Sequence, residues 1–415
     1  MKDSPREEAR KRSDELKGRI EDYLDFKAQE RQKSTHDESI IARKEAILKH
    51  FGATDVQWND WRWQLKHRIV SAKELALFLH PGKAEMAVWQ TCETIFRFAV
   101  SPYYLSLLDW EDRHDPLTLQ AIPLSAELSD QVHSLDPMNE RGMNPAGCIT
   151  RRYPDRLILN VTNECAMYCR HCQRRRNIGQ ADVSASDALI EDSIAYVKEH
   201  PEIRDVLVTG GDPLTMSDAW IESILARLRA ISTVEIIRIG TRTPVTMPMR
   251  ITKELCAMIA KYHPVYVNTQ FNHPREVTKE AKAACALLAD HGIVLGNQSV
   301  LLNGVNNDSL TMRLLNQNLL AARVRPYYLF HAKTVRGTTH FQTSVDDGLR
   351  IMKDLRGFTS GLAIPTYIVN APGGYGKIPL YPEVIVGKED DTLLLKTWED
   401  RIVKIDNPPT KPLSN

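Results

Sequence analysis

The sequence lacks several features that would assign it to a broad class of protein at once. None of its apolar runs approaches the length of a membrane span, and the N-terminal stretch MKDSPREEARKRSDELK is too charged for a secretory signal. Basic and acidic residues are almost balanced, at 54 and 53, so no basic field attracts nucleic acid or a membrane surface. Internal repeats and low-complexity segments are absent as well. We therefore expect a cytoplasmic globular protein with neither a nucleic-acid nor a membrane partner.

Cysteine is also scarce, and nearly half of it lies in one place. The seven cysteines are too few and too unevenly spread for a disulfide framework. Three of them, Cys165, Cys169 and Cys172, form a C-x-x-x-C-x-x-C pattern in NECAMYCRHCQRRR, which in a reducing compartment indicates a metal site. His171 would complete a Cys3His zinc site. An iron–sulfur cluster held by three cysteines would instead leave one iron open for a substrate or cofactor.

The order of sequence patterns along the chain predicts its architecture. In the first part the pattern is helical, with Leu16, Ile20, Tyr23 and Leu24 at helical spacing in an amphipathic helix, followed by a tryptophan-rich segment that we expect in the core. From Arg156 onward, short β-branched runs alternate with helical segments, which is typical of a parallel sheet built from right-handed βαβ units. The six predicted strands are RLILNVTN, DVLVTGG, VEIIRIGT, VYVNTQF, VLGNQSVLL and RPYYLF.

We therefore predict an α/β fold, a partial (β/α)6 barrel of the TIM type with an N-terminal helical extension and a C-terminal segment. The predicted domains are a helical region at 1–118, a connecting segment at 119–155, the barrel core at 156–340 and the C-terminal segment at 341–415. In such barrels active-site groups follow the carboxyl ends of the strands. The residues that follow the predicted strands include the cysteine group, Gly210 to Pro213, Gly240 to Arg242, Gln270 to Pro274 and His331 to Lys333.

The cysteine pattern, placed at the end of the first strand of a predicted barrel, resembles the signature of the radical S-adenosylmethionine superfamily. The resemblance implies that the three thiolates hold a [4Fe–4S] cluster whose open iron binds S-adenosylmethionine. It also implies that the turn Gly210-Gly211-Asp212-Pro213 contacts the amino group of this cofactor. Glycine permits a close backbone approach, and Asp212 could accept a hydrogen bond from an ammonium group. Gln298 is a further predicted contact of S-adenosylmethionine.

A second motif, PTYIVNAPGGYGKIPL, stands near the end of the chain, where three glycines form a tight loop before Lys377. Together with RRYPDRLILNVTNECAMYCRHCQRRR, VYVNTQFNHP and LGNQSVLLNGVNN in the same order, it resembles the lysine 2,3-aminomutase family over roughly Trp58 to the end. The resemblance implies an isomerase in which Lys377 forms the Schiff base with pyridoxal phosphate. It assigns four further residues to this cofactor, with arginine giving bidentate phosphate contacts, and one residue to the substrate α-carboxylate. These are Arg152, Tyr153, Arg156 and Asp136 for the cofactor, and Arg174 for the substrate.

Two positions depart from the family pattern and bear on the substrate. The lysine enzymes bind the distal ammonium group of lysine with two acidic residues, and this chain has Lys333 and Asn370 at the matching positions. An ammonium-bearing substrate would meet Lys333 without a compensating carboxylate. A distal carboxylate would instead pair with Lys333 and accept a hydrogen bond from Asn370. We therefore predict glutamate as the substrate and β-glutamate (3-aminoglutarate) as the product, since the same exchange on aspartate regenerates aspartate.

Two alternatives to this function stay open. One is a 2,3-aminomutase for lysine or another ω-substituted amino acid, which Lys333 and Asn370 disfavour. The other is a non-catalytic scaffold that uses the metal cluster structurally. Lys377 disfavours this scaffold, because a scaffold has no use for an aldehyde-binding lysine.

The resemblance also carries expectations about metals and partners. The lysine enzymes bind structural zinc through one cysteine after the fifth strand and three in a C-terminal extension. Here the first position is Asp308 and the tail NPPTKPLSN has no cysteine, so we expect no structural zinc. A reduced protein of the flavodoxin or ferredoxin type is expected as electron donor, and a homo-oligomer as the assembled form.

Overall fold

The computed structural model describes residues 4–34, 37–130 and 132–408. Before the sheet the chain is helical, as predicted, with α1 (Pro5–Gly18), α2 (Glu21–Ser34), α3 (Asp37–Phe51), α4 (Asp55–Trp58), α5 (Trp61–Lys66), α6 (Ala72–Leu79), α7 (Lys83–Ile95), α8 (Pro102–Leu107), α9 (Pro116–Ala121) and α10 (Ala126–Ser129). Side chains cap the starts of several of these helices. At α1, for example, Ser4 and Glu7 form a reciprocal capping box.

The tryptophan-rich segment lies in the core of this helical part, as predicted. Trp58, Trp61 and Trp63 are all buried, and Trp89 of α7 is only 1% exposed. The ring of Trp63 packs edge-on against Phe51 at a centroid distance of 5.8 Å. Because an indole ring covers so much apolar area, these side chains can stabilise short helices that have few residues of their own to bury.

The predicted first amphipathic helix differs in the structure, where it is divided into α1 and α2. The division follows Gly18, a residue of low helix propensity. No residue of α1 is buried. Among residues 21–31 of α2, only Tyr23 is buried, and its hydroxyl donates to Gln317 at 2.6 Å. Leu16 of α1 and Leu24 of α2 are exposed. The apolar spacing therefore marks one anchoring side chain and not a continuous buried stripe.

A nine-stranded sheet follows, and its strand order is the order along the chain. Its strands are β1 (Ile149–Arg151), β2 (Arg156–Thr162), β3 (Asp205–Gly210), β4 (Ile236–Gly240), β5 (Val265–Thr269), β6 (Val294–Leu301), β7 (Arg325–His331), β8 (Thr366–Asn370) and β9 (Lys377–Leu380). Strands β2 to β8 are parallel, and β1 and β9 pair antiparallel at the two edges. The six predicted strands correspond to β2–β7, which confirms the partial barrel, and β8 adds a seventh parallel strand.

Helices connect the parallel strands and pack on the sheet. They are α11 (Arg175–Ile178), α12 (Asp187–Glu199), α13 (Asp218–Arg229), α14 (Thr243–Thr246), α15 (Lys253–Ala260), α16 (Lys279–Asp290), α17 (Ser309–Ala321) and α18 (Val345–Leu355). Each of the longer ones begins after a Ser, Thr or Asp whose side chain accepts a backbone hydrogen bond. One of these caps is Asp308, which accepts from the Thr311 N–H at 2.8 Å. At the position where the lysine enzymes have a zinc-binding cysteine, this chain therefore has a residue that caps a helix.

The core of the barrel comes from alternate residues of the strands. Along β2, Leu157, Leu159 and Val161 are buried, and their neighbours on β3, Val206 and Val208, are buried as well. This alternation leaves the intervening positions and the strand ends for polar side chains. In the described ranges, no helix combines the length and the apolar character needed to cross a bilayer.

A small antiparallel sheet lies beyond β9. It consists of β10 (Ile385–Glu389), β11 (Thr392–Lys396) and β12 (Ile402–Asp406), in that order. Most of its residues are exposed, including Ile385, Ile402 and Ile405. The sequence analysis assigned this region to the C-terminal segment without predicting a sheet.

Candidate active site

A cavity of about 290 Å³ opens at the carboxyl ends of the parallel strands. The cysteine group and the lysine of the glycine loop both line it, so the two motifs that the sequence predicts to act together share one space. The predicted site residues in its wall are Cys165, Cys169, Cys172, Gly210, Gly211, Asp212, Gln298, Arg152, Tyr153, Arg156, Arg174, Lys333, Asn370 and Lys377. Asp136 is the one predicted site residue outside this wall.

The cysteine group lies on the loop between β2 and α11, and this loop is tied to the N-terminal helical part. The Tyr168 N–H donates to the carbonyl of Ala99 at 3.0 Å, and the Arg170 N–H donates to that of Gln120 at 2.8 Å. The buried guanidinium group of Arg170 pairs with the buried carboxylate of Glu127. These contacts fix the loop so that its thiols line the cavity.

The donor set fits an iron–sulfur cluster better than a single zinc ion. His171 Nε2 lies 3.3 Å from the side-chain amide nitrogens of both Gln270 and Asn272, while its buried Nδ1 has no hydrogen-bond partner among the described residues. In the part of the chain that the structure describes, no three His, Cys, Asp or Glu side chains converge as they would around one metal ion. A cubane cluster spaces its thiolates more widely, because each binds a different iron. Burial raises the pKa of Cys165 well above its ordinary value, so a thiolate there needs a bound cation.

The turn after β3 packs against the cysteine loop at distances that only glycine allows. Gly210 has a φ of +127°, and a Cβ added there would lie 2.5 Å from the Thr162 carbonyl oxygen. A Cβ on Gly211 would lie 2.4 Å from the carbonyl oxygen of Glu164. The close approach that these glycines permit is therefore, in the structure, an approach to the cysteine loop itself.

Asp212 fixes the same turn through protein donors. Its carboxylate is buried and accepts from Thr241 Oγ1 at 2.6 Å, from the Arg242 N–H at 2.8 Å and from the Leu214 N–H at 3.1 Å. Burial raises the pKa of Asp212, while these hydrogen bonds act in the opposite direction. The side chain links β3 to β4 at the cavity wall. The predicted contacts of this turn and of Gln298, which lies on β6, with S-adenosylmethionine stay predictions.

Lys377 is the first residue of β9 and faces Asn370, the last residue of β8, across the antiparallel ladder. Its N–H donates to the Tyr153 hydroxyl at 2.9 Å, and its Nζ lies 5.5 Å from the ring centroids of both Tyr153 and Tyr328. Lys377 as a whole residue is exposed, but desolvation of its amine in the cavity wall lowers its pKa to about 8, and the charges of nearby arginines act in the same direction. A larger neutral fraction makes this amine a better nucleophile toward an aldehyde.

The cavity wall is rich in basic side chains, and its five arginines pair with carboxylates that lie outside the wall, namely Glu140, Asp155, Asp205 and Glu276. One carboxylate, that of Asp212, stands against seven basic side chains: Arg152, Arg156, Arg174, Arg238, Arg242, Lys333 and Lys377. Such a wall suits several anionic groups at once, namely a phosphate and the carboxylates of small molecules. Arg152 Nε is buried without a hydrogen-bond partner among the described residues, which leaves it available to such a group. The arginines, the aromatic rings and Lys377 together fit pyridoxal phosphate.

Lys333 and Asn370 each present an unused donor to this cavity. The ammonium group of Lys333 pairs with no carboxylate in the described ranges, and Asn370 Nδ2 is buried there without an acceptor. Burial lowers the pKa of Lys333 to about 7; the charge of Arg152 also lowers it, and that of Glu140 opposes this. A buried amide nitrogen normally has a partner, so Asn370 Nδ2, beside the half-buried and unpaired Lys333, indicates a ligand with an oxygen acceptor.

Asp136 lies behind the cavity wall. It accepts from the backbone N–H groups of Glu140 at 3.0 Å and of Arg141 at 3.1 Å, and it pairs with Arg176 at 3.2 Å. In the structure it therefore holds Arg176 and the backbone at Glu140 and Arg141, and its predicted direct contact with the cofactor stays a prediction.

Several residues of the site were missed by the sequence analysis. Arg242 places Nη1 2.7 Å from Cys169 Sγ and pairs with the buried Glu276 at 2.7 Å. Arg238 and Phe330 also line the cavity. The sequence analysis placed Arg242 among the residues that follow the predicted strands, where the chemistry of this fold lies, but assigned it no role. Arg238 lies inside a strand, where the sequence pattern gives no such signal.

Comparisons with known proteins agree with this geometry. A family model described as the radical SAM superfamily matches residues 159–314, and one described as lysine-2,3-aminomutase matches residues 352–411. A glutamate 2,3-aminomutase of Clostridioides difficile is 56% identical over 96% of this chain and 94% of that protein. The L-lysine 2,3-aminomutases of Acetoanaerobium sticklandii and Clostridium subterminale are each 47% identical over 89% of this chain, and over 89% and 88% of those proteins. With so much identity over nearly its whole length, the chain belongs to the lysine 2,3-aminomutase family of radical S-adenosylmethionine enzymes.

Proposed function

We propose that this protein is a glutamate 2,3-aminomutase, an isomerase that moves the amino group of L-glutamate from C2 to C3 and gives β-glutamate. The observation that carries the proposal is the pair of unused donors, Lys333 and Asn370, in the wall that also holds Lys377. A γ-carboxylate is the group that satisfies both donors, since it pairs with the ammonium group and accepts from the amide. The distal ammonium group of lysine would instead meet the ammonium group of Lys333, a like charge in the same wall.

The relatives support this choice of substrate. The relative named glutamate 2,3-aminomutase is 56% identical, whereas those named L-lysine 2,3-aminomutase above are 47% identical. The family's cofactors are a [4Fe–4S] cluster, S-adenosylmethionine and pyridoxal phosphate, which are the predicted set. When bound, they would supply the radical that breaks an unactivated C–H bond and an aldehyde carbon that binds the amino nitrogen while it moves from C2 to C3.

The side chains of the chain position the substrate between these cofactors. Arg174 binds the α-carboxylate and Lys333 the γ-carboxylate, so the two ends of glutamate are fixed and its C2 and C3 are held between them. Arg152, Tyr153 and Arg156 hold the phosphate-bearing cofactor, and Lys377 supplies the amine that links it to the chain. The rings of Tyr328 and Phe330 lie 5.5 Å and 6.0 Å from the Lys377 amine and give this part of the cavity an aromatic wall.

A turnover assay tests the proposal directly. Anaerobic, cluster-reconstituted protein is given S-adenosylmethionine, pyridoxal phosphate and a reductant, with glutamate or lysine in parallel reactions. We expect β-glutamate to form and glutamate to exceed lysine in kcat/KM by roughly a hundredfold, because an unpaired like charge in a closed site costs several kcal/mol. A higher kcat/KM for lysine than for glutamate would reject glutamate as the proposed substrate. A visible band of the metal cluster without the band of bound pyridoxal phosphate would favour the scaffold instead.

The lowered pKa of Lys333 predicts how glutamate binding depends on pH. Below its pKa of about 7 the ammonium group is already charged and binds the γ-carboxylate without taking up a proton. Above that pH, binding must first protonate Lys333, so the pKa rises in the complex and the apparent KM increases by up to about tenfold per pH unit. The groups that face Lys333 are Arg152, Glu140, Arg174 and Lys377. The KM for glutamate, measured from pH 6 to about 9, checks this expectation.

The matched control for the pH profile is Lys333→Arg. A guanidinium group stays charged over this range, so we expect the KM of this variant to depend on pH less steeply than that of the unmodified protein. The fraction of protein carrying pyridoxal phosphate is read from its visible absorbance at each pH, which separates any effect of Lys377. Equal pH slopes for the two proteins would show that Lys333 is not the group that titrates.

Three further parts of the proposal concern partners and location. A reduced protein of the flavodoxin or ferredoxin type delivers the single electron that a radical reaction of this kind requires. The chain assembles as a homo-oligomer, for which the exposed apolar residues of β10 and β12 offer a surface. Its location is the cytoplasm, which is supported by seven free cysteines.

A further inference from the structure

One buried carboxylate joins the cofactor side of the cavity to the substrate side. Glu140 is 4% exposed, and each of its oxygens contacts arginine. Oε1 accepts from Arg152, which the family pattern assigns to pyridoxal phosphate. Oε2 accepts from Arg174 Nε at 3.1 Å and from Arg176 at 3.0 Å, and the family pattern assigns Arg174 to the substrate. Sequence analysis gave Glu140 no role.

These contacts leave some hydrogen-bond donors of both guanidinium groups without partners among the described residues. Arg152 uses one terminal nitrogen for Glu140, and its Nε is without a partner in the described part of the chain. Arg174 uses Nε, so both of its terminal nitrogens are available at the cavity wall. Glu140 therefore fixes the orientation of each guanidinium group without occupying all of its donors.

The segment that carries Glu140 is held in turn by the glycine loop of Lys377. The Gly373 N–H donates to the carbonyl of Pro137 at 2.8 Å. At Gly374 an added Cβ would lie 2.7 Å from the carbonyl oxygen of Met138, so the loop packs directly on this backbone. Glu140 is thus connected to three residues with predicted functions. Its carboxylate binds the cofactor-binding Arg152 and the substrate-binding Arg174, and its backbone segment packs on the loop of Lys377.

Glu140 is negatively charged at neutral pH. Burial opposes the ionisation of Glu140, but the charges of Arg174 and Arg152 and the hydrogen bonds to it lower its pKa to about 2. Without this charge, Arg152, Arg174 and Arg176 would repel one another, and their side chains would lose the common acceptor that orders them.

We infer that Glu140 is a positioning residue that sets Arg152 and Arg174 in one fixed geometry, so that pyridoxal phosphate and the substrate α-carboxylate are bound at a defined separation. The inference rests on the proposed function for the identity of the substrate alone. Binding of pyridoxal phosphate through Arg152 follows whichever amino acid is turned over.

The test compares Glu140→Gln with Glu140→Asp. The glutamine variant keeps the shape and loses the charge; we expect roughly a tenfold weaker affinity for pyridoxal phosphate and a KM for glutamate that rises by a similar factor. The aspartate variant keeps the charge and recovers part of both losses. Titration of the protein with pyridoxal phosphate, followed by visible absorbance in the absence of substrate and S-adenosylmethionine, gives a readout apart from activity.

Two further variants make the test specific. Asp218→Asn removes a carboxylate from Arg250, a buried arginine outside the cavity wall, and we expect the affinity for pyridoxal phosphate to stay unchanged. If Glu140 acts through Arg152, then Arg152→Gln combined with Glu140→Gln loses no more affinity than Arg152→Gln alone. Additive losses would overturn the inference, as would normal affinity for pyridoxal phosphate in Glu140→Gln. Circular dichroism and the Tm separate either result from misfolding.

The outcomes also separate this inference from the proposed function. If the unmodified protein turns over lysine and not glutamate, the substrate proposal fails, while the titrations with pyridoxal phosphate still decide the role of Glu140. If glutamate is turned over and Glu140→Gln binds pyridoxal phosphate normally, only the inference about Glu140 fails.

Discussion

Replacing Lys377 by alanine should abolish turnover of glutamate, with a loss in kcat of roughly a thousandfold or more, because the covalent link between chain and cofactor is removed. The position of the side chain is the reason for so large an effect. Its amine lies between aromatic rings in the wall of the cavity that holds the three cysteines. Added amines or free pyridoxal phosphate would restore little of this activity, since neither is held in place.

Spectroscopy distinguishes this loss from a general failure to fold. Lys377→Ala should lose the visible band of lysine-linked pyridoxal phosphate and keep the band of the iron–sulfur cluster, because the cysteines lie on another loop. The matched control is Lys388→Ala, on β10 and exposed, which we expect to retain both bands and full activity. A Lys377→Ala protein that keeps its lysine-linked band would assign the cofactor to a different lysine.

The second large effect is expected from reversing the charge at the distal end of the substrate site. In the double variant Lys333→Asp with Asn370→Asp, glutamate turnover should fall by roughly a hundredfold or more, since two favourable contacts with the γ-carboxylate become repulsive. The same change gives a distal ammonium group two acceptors, so we expect turnover of lysine to rise. The ratio of kcat/KM for the two amino acids is the quantity to measure.

A neutral control is needed because an aspartate at position 333 could pair with Arg152 or Arg174 instead of a substrate. Lys333→Met keeps much of the length of the side chain and adds no carboxylate. It should lose affinity for glutamate without gaining activity on lysine, while binding of pyridoxal phosphate is kept. If the double variant loses both substrates and pyridoxal phosphate together, the two residues support the fold of the cavity and do not select the substrate.

Much of the fold was predictable because its signals are local. Strands β2 to β7 carry β-branched runs with polar or glycine residues at their ends, and each of β3 to β7 follows a helix whose start is capped by a side chain. The division between α1 and α2 was not predictable from spacing, because the exposure of Leu16 depends on which surfaces lie nearby in the folded chain. The small sheet β10–β12 has so little burial that no periodic pattern marks it.

In the site, motif residues were predictable and their supporting contacts were not. Cys165 and Lys377 stand in short patterns that the chemistry requires, and the structure places both in one cavity. Glu140 and Arg242 act between segments that are distant in the chain, and nothing in their neighbours in the sequence reports that contact. The contact of Asp212 with a ligand stays a prediction, whereas the hydrogen bonds by which Asp212 links its turn to β4 are seen only in the three-dimensional arrangement.

Because Asn370 pairs with Lys377, the function of the site depends on the number of residues in the glycine loop between them. These two residues close a hairpin whose connection runs over residues 371–376. Successive side chains of a strand point to opposite faces, so deleting or inserting one residue would turn either the amine or the amide away from the cavity. Substitutions in this connection are therefore tolerated wherever the backbone conformation allows the new residue, whereas insertions and deletions are not.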